Sequence, residues 1–246
     1  MNKIGIIIEA RMNSSRLPGK VLKKINNVPI LYFMINRLKL IKNIDNIIIA
    51  TTKSKKDDGI CNLAVKNNID FYRGSENNVM QRVIKAAEFY NLKHIVEITG
   101  DDPLVDPKIS SFVVSKYIKN NKYNTVCAND FYGQVPLGFY TRVFSLKTLK
   151  KVYKNSSLFN KEHVESYFYQ NSYKFNFVHT HISLKDKKNH DVRLTLDTKE
   201  DFLLIKHVIN NFKKRIDFSF YEIIKFLNKN PHLKKINKKI NQNAIR

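Results

Sequence analysis

The chain has 246 residues, 43% hydrophobic and 26% charged, a globular balance that suits one α/β domain or one domain with a small appendage. No stretch approaches the ~20 continuous apolar residues of a bilayer span, and the N-terminal MNKIGIIIEAR has too short an apolar run, and no small-residue cleavage site, for a signal peptide. Two cysteines, Cys61 and Cys127, exclude a disulfide framework and have no metal-ligand spacing, so a reducing cytoplasm is the expected location. The net charge of +23, from 44 Lys+Arg against 21 Asp+Glu, raises nucleic-acid binding as a reading. Lysine is scattered along the chain, however, and no helix-turn-helix, zinc-finger or aromatic RNA-reading motif accompanies it. Compositional drift plus a preference for anionic substrates is the favoured explanation.

In chain order, Ile4 to Ile8 reads as a strand buried on both faces, followed by a polar loop from Arg11 to Lys20 with a Pro18-Gly19 turn signal. Pro29 opens a helix over Ile30 to Ile41, and Asn46 to Thr52 is a second β-branched strand. Asp57 to Asn67 predicts a helix, Phe71-Tyr72 a short strand, Asn78 to Tyr90 a helix and His94 to Thr99 a strand. A helix near Lys108 to Lys119 and a strand near Tyr123 to Ala128 follow. The less regular stretch predicts a strand at Gly138 to Phe144, helices at Leu146 to Tyr153 and Lys161 to Gln170, and a strand at Lys174 to Ile182. Asp191 to Leu196 reads as a further strand, Thr198 to Asn210 as a helix with a capping-type opening, and Phe220 to Asn228 as the last helix. This alternation implies βαβ units and a mainly parallel sheet. The expected organisation is one domain over 1–228, with an irregular region at about 131–182 and a mobile basic tail over 229–246.

Ligands of open parallel sheets bind outside the carboxyl ends of the strands, and three polar clusters fall at such ends. Arg11 to Lys20 supplies three cations and several small residues, the donors and fixed charge that a triphosphate requires; it is not a P-loop, for G-x-x-x-x-G-K-[ST] is absent. Gly100-Asp101-Asp102-Pro103 ends one strand and Asp197 ends another. Each acid alone is equally a turn or helix-entry carboxylate. Together with the three cations they have the composition of a magnesium–triphosphate site. His163, His179, His181 and His190 fit no usual zinc spacing, and no G-x-S-x-G elbow is present.

The segments IIIEARMNSSRLPGKVL, IIIATT, FYRGSENNVMQR, EITGDDPLVDP, KEHVESYFYQN and RLTLDTKEDFLLI together resemble the cytidylyltransferase family of CMP-Kdo and CMP-sialic acid synthetases. The branch of spore-coat polysaccharide biosynthesis proteins is the more similar one. The resemblance runs over roughly residues 3 to 210. It implies a three-layer α/β, Rossmann-like nucleotidyltransferase fold with a mainly parallel mixed sheet, and a homodimer built partly from the irregular region. It implies transfer of CMP from CTP to a small acidic or sugar-like acceptor, with pyrophosphate release, for surface glycan synthesis.

By the same resemblance, Arg11, Arg16 and Lys20 meet the CTP phosphates, with Ser14 and Ser15 in their loop. Ala10 and Arg73, Gly74 and Ser75 lie around the nucleotide, and Arg82 supports that loop or the phosphates. Asp101 and Asp197 hold Mg²⁺, and with Arg11 and Lys20 they form the catalytic set. Glu162 and His163 lie near the acceptor, and Arg193 is placed to meet an anion. Departures from the branch are Glu9 in place of Gln, Asn78 in place of an acid, and Leu137, Tyr140 and Arg142 in place of acids. Tyr140 and Arg142 thereby become candidate acceptor contacts, a basic residue suiting a phosphate or carboxylate. The rival readings are a sugar-nucleotide-dependent glycosyltransferase and a non-catalytic nucleic-acid binder; the RLPGK loop disfavours the first.

Overall fold

The apolar run at the N-terminus is covered on both faces. In the computed structural model, which describes residues 3–120, 122, 124–129, 136–180, 192–213 and 215–240, β1 (Ile4–Glu9) lies between β4 (Asn46–Thr52) and β6 (His94–Thr99), parallel to both. A two-residue-strand hairpin, β2 (Lys24–Ile25) and β3 (Val28–Pro29), precedes β4. Its turn residues Asn26 and Asn27 have φ of 50° and 63°, the left-handed pair that a tight hairpin requires. With β5 (Asp70–Gly74), β7 (Thr125–Ala128), β8 (Arg142–Ser145) and β9 (Asn176–His179), the main sheet has the order β5-β4-β1-β6-β8-β7-β9. Only β8 runs antiparallel to its neighbours.

Helices cover both faces. α1 (Ile30–Leu38), α2 (Asp58–Lys66) and α4 (Pro107–Asn120) pack Leu31, Met34, Ile60 and Val113 against Ile6, Ile8 and Ile49. On the other face, α3 (Val79–Phe89), α5 (Leu146–Lys154) and α7 (Val164–Gln170) pack Val83, Leu149 and Phe168 against Ile7, Ile48 and Phe144. A third apolar cluster joins α8 (Lys199–Asn211) and α9 (Phe220–Lys229) to Ile30, Phe33, Leu104 and the Leu194–Leu196 segment. This is the three-layer arrangement with a mainly parallel mixed sheet. The connection leaving β1 leads to β4 on one side, whereas β6 lies on the other, so the sheet reverses direction beside the carboxyl ends of β1 and β6. At that point Gly100 donates its N–H to the Glu9 carbonyl at 2.9 Å. A Cβ on Gly100 would lie 2.7 Å from that oxygen, closer than real Cβ atoms come, so the junction demands glycine.

Several elements differ from the expected ones. Residues 138–144 are not one strand: Gly138 has φ 105°, and the Asn129 side chain bonds the Phe139 carbonyl and the Thr141 N–H, occupying groups a ladder would use. Asp191 to Leu196 is not a sheet strand either. Within it, Leu194 donates to the Leu137 carbonyl and Leu196 to the Asp101 carbonyl, while residue 191 lies outside the described residues. The expected helix over Lys161 to Gln170 is divided at His163 (φ −114°, ψ 88°) into α6 (Leu158–Glu162) and α7. Finally, residues 229–240 are packed rather than a free tail. Lys229 closes α9, Leu233 is buried in the third cluster, and Asn237 is 4% exposed and doubly hydrogen-bonded. The rest of the expected tail, 241–246, lies outside the described residues, as do 131–135 and 181–182 of the irregular region, with His181, and His190 beyond it.

Candidate active site

The loop after β1 is held by one buried carboxylate. Asp57 accepts the Met12 N–H at 2.8 Å together with the Thr51 hydroxyl and the Thr52 N–H and hydroxyl. Leu17, 4% exposed, anchors the middle of the loop in the core, and Gly19 and Ser14 both donate to the Met12 carbonyl. The backbone therefore doubles back on itself and turns the Lys20 side chain inward, to 12% exposure, while Arg16 stays 39% exposed.

Those cations meet the two acids expected from the sequence. Lys20 Nζ lies 2.9 Å from Asp101 Oδ2 and 2.8 Å from Asp197 Oδ1. Arg16 reaches Asp197 Oδ2 at 3.0 Å. Asp101 ends β6 and Asp197 precedes α8, and the pair is tied through the backbone by the Leu196 N–H to Asp101 carbonyl bond of 2.7 Å. Burial works to depress the Lys20 ammonium, but the charges of Asp101 and Asp197 outweigh it and its pKa is raised. Burial likewise works to raise Asp101, and the Lys20 charge reverses it, leaving Asp101 below the usual carboxylate range. Next to it, Asp102 is pushed up to about 7 by burial and then by the Asp101 charge. The two acids of the Asp101-Asp102 dipeptide are thus pushed apart, Asp101 ionising first and Asp102 near neutrality.

A cleft of about 1190 Å³ opens over these groups. Ala10, Arg11, Ser14, Ser15, Arg16 and Lys20 line one side, with Asp101 and Asp197 at its floor. Arg82, Tyr140, Arg142, Glu162 and His163 line the other. Arg11 bridges the two sides, donating to Glu162 Oε1 at 3.3 Å and to the Glu76 carbonyl at 3.2 Å. Arg142 is held by Glu97 at 3.5 Å and by the Tyr169 hydroxyl at 2.9 Å, with the Tyr140 ring 5.6 Å away.

Four expected site residues sit behind the cleft instead. Arg73 fastens β5 to the Thr52 and Ser54 carbonyls and to Asp58. Gly74 packs on Arg82, since a Cβ there would meet Arg82 Cγ at 2.8 Å, and the Ser75 carbonyl accepts from Arg82 Nη1. Arg193 does not line the cleft; it supports the floor, pairing with Asp197 at 2.7 Å and with Asp201 at 2.9 Å. Asn78, the departure from an acid, caps α3 by accepting the Gln81 N–H.

No local pattern marks Glu97, Glu165 and Tyr169, which surround Arg142 and Glu9, whereas Asp201, which organises the Asp197 turn, is legible only as the acid of the capping opening of α8. Glu9 was noted only as a departure. It lines the cleft, and one of its oxygens is buried without a hydrogen-bond partner among the described residues. Burial first, and then the charges of Glu97 and Glu165, hold its carboxyl well above the ordinary value, against the lowering effect of Arg82. The available signal is its place at the end of a strand buried on both faces, where a charged side chain meets a packed surface.

With this geometry in place, the comparisons are decisive. Residues 5–240 match the cytidylyltransferase family. The chain belongs to that family. It is a nucleotidyltransferase whose relatives include the spore coat polysaccharide biosynthesis protein SpsF of Bacillus subtilis, 32% identical over 94% of this chain and 96% of that one. A cytidylyltransferase structure from Leptospira borgpetersenii superposes with a TM-score of 0.89 at 34% identity, covering 99% of both chains. The structure of CMP:2-keto-3-deoxy-manno-octonic acid synthetase in complex with CTP superposes with a TM-score of 0.62 at 14% identity, covering 85% of this cytidylyltransferase and 99% of that chain; it shares the fold. The family match runs through residue 240, and so includes the packed C-terminal segment that follows α9. No helix among the described residues is long and apolar enough to cross a membrane.

Proposed function

We propose that this cytidylyltransferase transfers CMP from CTP to a small acidic or sugar-like acceptor, releases pyrophosphate and serves surface glycan synthesis. The observation that carries the reading is the convergence of Asp101 and Asp197 on one ammonium group, 2.9 and 2.8 Å away, at the floor of a cleft lined by Arg11 and Arg16. The polysaccharide role is supported by the Bacillus relative, a spore coat polysaccharide biosynthesis protein, and CTP by the family and by the CTP complex that shares this fold.

The donor set also fits a magnesium ion. Two carboxylates already face one cationic point, and no group of three or more acidic, histidine or cysteine ligands forms among the described residues. That is the sparse set magnesium takes when phosphate oxygens and water complete its shell. Asp101 and Asp197 would hold it, and when bound it supplies neutralisation of the charge developing on the α-phosphate.

An acceptor oxygen attacks the α-phosphorus of CTP; the new P–O bond forms as the bond to the β-phosphate bridging oxygen breaks, and pyrophosphate leaves with that electron pair. Arg11, Arg16 and Lys20 bind the phosphates and receive the growing negative charge of the leaving group. With magnesium on the two carboxylates, Lys20 would be free to pair with a phosphate. Glu162 and His163, on the far side, orient the acceptor for in-line approach. An acceptor that attacks through an ionised carboxylate or phosphate needs no general base.

Pyrophosphate release, assayed with each of the four nucleoside triphosphates against a panel of sugar acids and sugar phosphates with and without Mg²⁺, tests the reading. CTP-dependent release with at least one acceptor is expected. Release with UTP or GTP at equal efficiency would remove the cytidine assignment.

A further inference from the structure

The Asp197 carboxylate is not held by its own turn alone. Behind it, Arg193 donates from Nη2 to Asp197 Oδ2 at 2.7 Å. The same guanidinium is fixed by Asp201, through Nε to Oδ1 at 2.9 Å and Nη2 to Oδ2 at 3.2 Å. Asp201 Oδ2 also accepts the Asp197 and Thr198 N–H groups, each at 3.0 Å. Asp201 is fully buried, so its orientation depends on every donor it has. One donor comes from far along the chain: the Asn237 side-chain amide reaches Asp201 Oδ1 at 2.8 Å and the Arg193 carbonyl at 3.0 Å.

We propose that Asn237, carried by the segment after α9, is a positioning residue that sets the orientation of the Asp197 carboxylate through Asp201 and Arg193. The inference rests on the reading that Asp197 holds the cation of the magnesium–nucleotide complex. The guanidinium is a rigid planar fork, so it cannot turn toward Asp197 independently of the carboxylate that grips its other edge. Asn237 holds both ends of that grip, the Asp201 oxygen and the Arg193 backbone. Loss of its donor leaves Asp201 Oδ1 with Arg193 Nε and loosens the edge of the carboxylate that grips the guanidinium. Leu233, buried four residues earlier, fixes where the segment lands. The C-terminal residues thus act on the site without touching the substrate.

The test uses the full chain with CTP as probe. CTP affinity is measured by calorimetry over a series of Mg²⁺ concentrations and in chelator, for the wild type, Asn237→Leu and Asn237→Asp. Leu keeps the volume and removes the donors; Asp keeps the shape and faces Asp201 with a like charge. Outer-shell partners of metal ligands typically affect affinity by ~10–100-fold, so the half-saturating Mg²⁺ concentration is expected to rise about 10-fold or more in both. CTP affinity in chelator, set by Arg11, Arg16 and Lys20, is expected to stay unchanged. Asn237→Ser retains one donor and is expected to give a smaller rise in the same direction, which also supplies the reading should the other variants not fold. An unchanged Mg²⁺ response in the folded variants, with only a lower melting temperature, would overturn the proposal and leave Asn237 a packing residue. A wild type whose CTP affinity ignores Mg²⁺ would instead overturn the cation assignment itself.

Discussion

Asp57 accepts the backbone N–H of Met12 at 2.8 Å across 45 positions of sequence. It is 1% exposed and also satisfies the donors of Thr51 and Thr52 at the end of β4. One carboxylate therefore ties the start of the loop after β1 to the neighbouring strand. Asp57→Ala leaves those donors buried and unpaired, and a single orphaned donor costs about 1–3 kcal/mol. The expected result is a loss of stability of at least about 2 kcal/mol by urea unfolding, with two or more donors affected. A rise in KM for CTP accompanies it as the loop loosens. Asp57→Asn, which keeps one acceptor oxygen, is expected to lose less on both measures. Equal stability of Asp57→Ala and wild type would show that the loop holds its own shape.

Lys20 is the group whose removal most disturbs the floor of the cleft. Lys20→Met leaves Asp101 and Asp197 without the ammonium they share and takes a cation from the leaving group. Removing one electrostatic contributor of this kind lowers turnover by roughly 10²–10³, and that loss is expected in kcat with saturating CTP. There is also a pH signature. The Asp101 pKa lies below its ordinary value of 3.8 because Lys20 outweighs burial. It therefore contributes stability above that value that is lost as pH falls through the folded pKa. In Lys20→Met the Thr99 and backbone hydrogen bonds alone oppose burial, so the Asp101 pKa rises above its wild-type value and less stability is lost on acidification. Thermal melts from pH 3 to 8 check it. Parallel wild-type and variant curves would show that the Lys20 charge does not control Asp101.

Glu9 gives the opposite case. Its folded pKa lies well above the ordinary 4.5, so between those two values the folded state keeps a proton that the unfolded state has released. Stability then falls as pH rises through that window and is level above the folded pKa. Glu9→Gln removes the titration while keeping the shape. The variant is expected to melt higher than wild type at pH 7.5 and level with it below pH 4.5. A variant that melts lower at pH 7.5 would show that the Glu9 charge is compensated by Arg82 and useful to the fold.

The strand-end clusters were readable because each chemical residue sits at most a few positions from a strong local pattern. Lys20 follows a turn dipeptide, Asp101 follows β6, and Asp197 precedes a capped helix. What failed depended on partners far away in sequence. Arg73 looks like a nucleotide contact from its position beside Gly74 and Ser75, yet its guanidinium is used up on Thr52, Ser54 and Asp58. The β-type run ending at Leu196 has the pattern of a strand but finds Leu137 and Asp101 rather than a sheet neighbour. Asn237 is 36 and 44 positions from its two partners and stands in a stretch rich in lysine and asparagine. Nothing local marks it.

That last point reverses the expectation for the C-terminus. A mobile basic tail would be dispensable, and ending the chain after Asn228 would leave catalysis nearly unchanged at moderate salt. The packing predicts otherwise. The truncation exposes the surface that Leu233 covers, a burial worth about 1.5–3 kcal/mol. It also removes the Asn237 bonds to Asp201 and Arg193, of which a hydrogen bond to a charged group contributes about 1.5–3 kcal/mol. A combined loss of about 3–6 kcal/mol is a large share of a typical domain's stability, so the shortened chain is expected to unfold at markedly lower urea and to lose activity at all salt concentrations. Charge steering alone gives a different pattern, because salt screens it beyond ~8 Å at physiological ionic strength. Lys234→Gln/Lys235→Gln/Lys238→Gln/Lys239→Gln removes four cations and leaves Leu233 and Asn237 in place. That variant is expected to match wild type at moderate salt and to lose kcat/KM for CTP only at low salt. If the truncated chain kept wild-type stability and turnover while the four-lysine variant lost both, the segment would act through its charge and not through its packing.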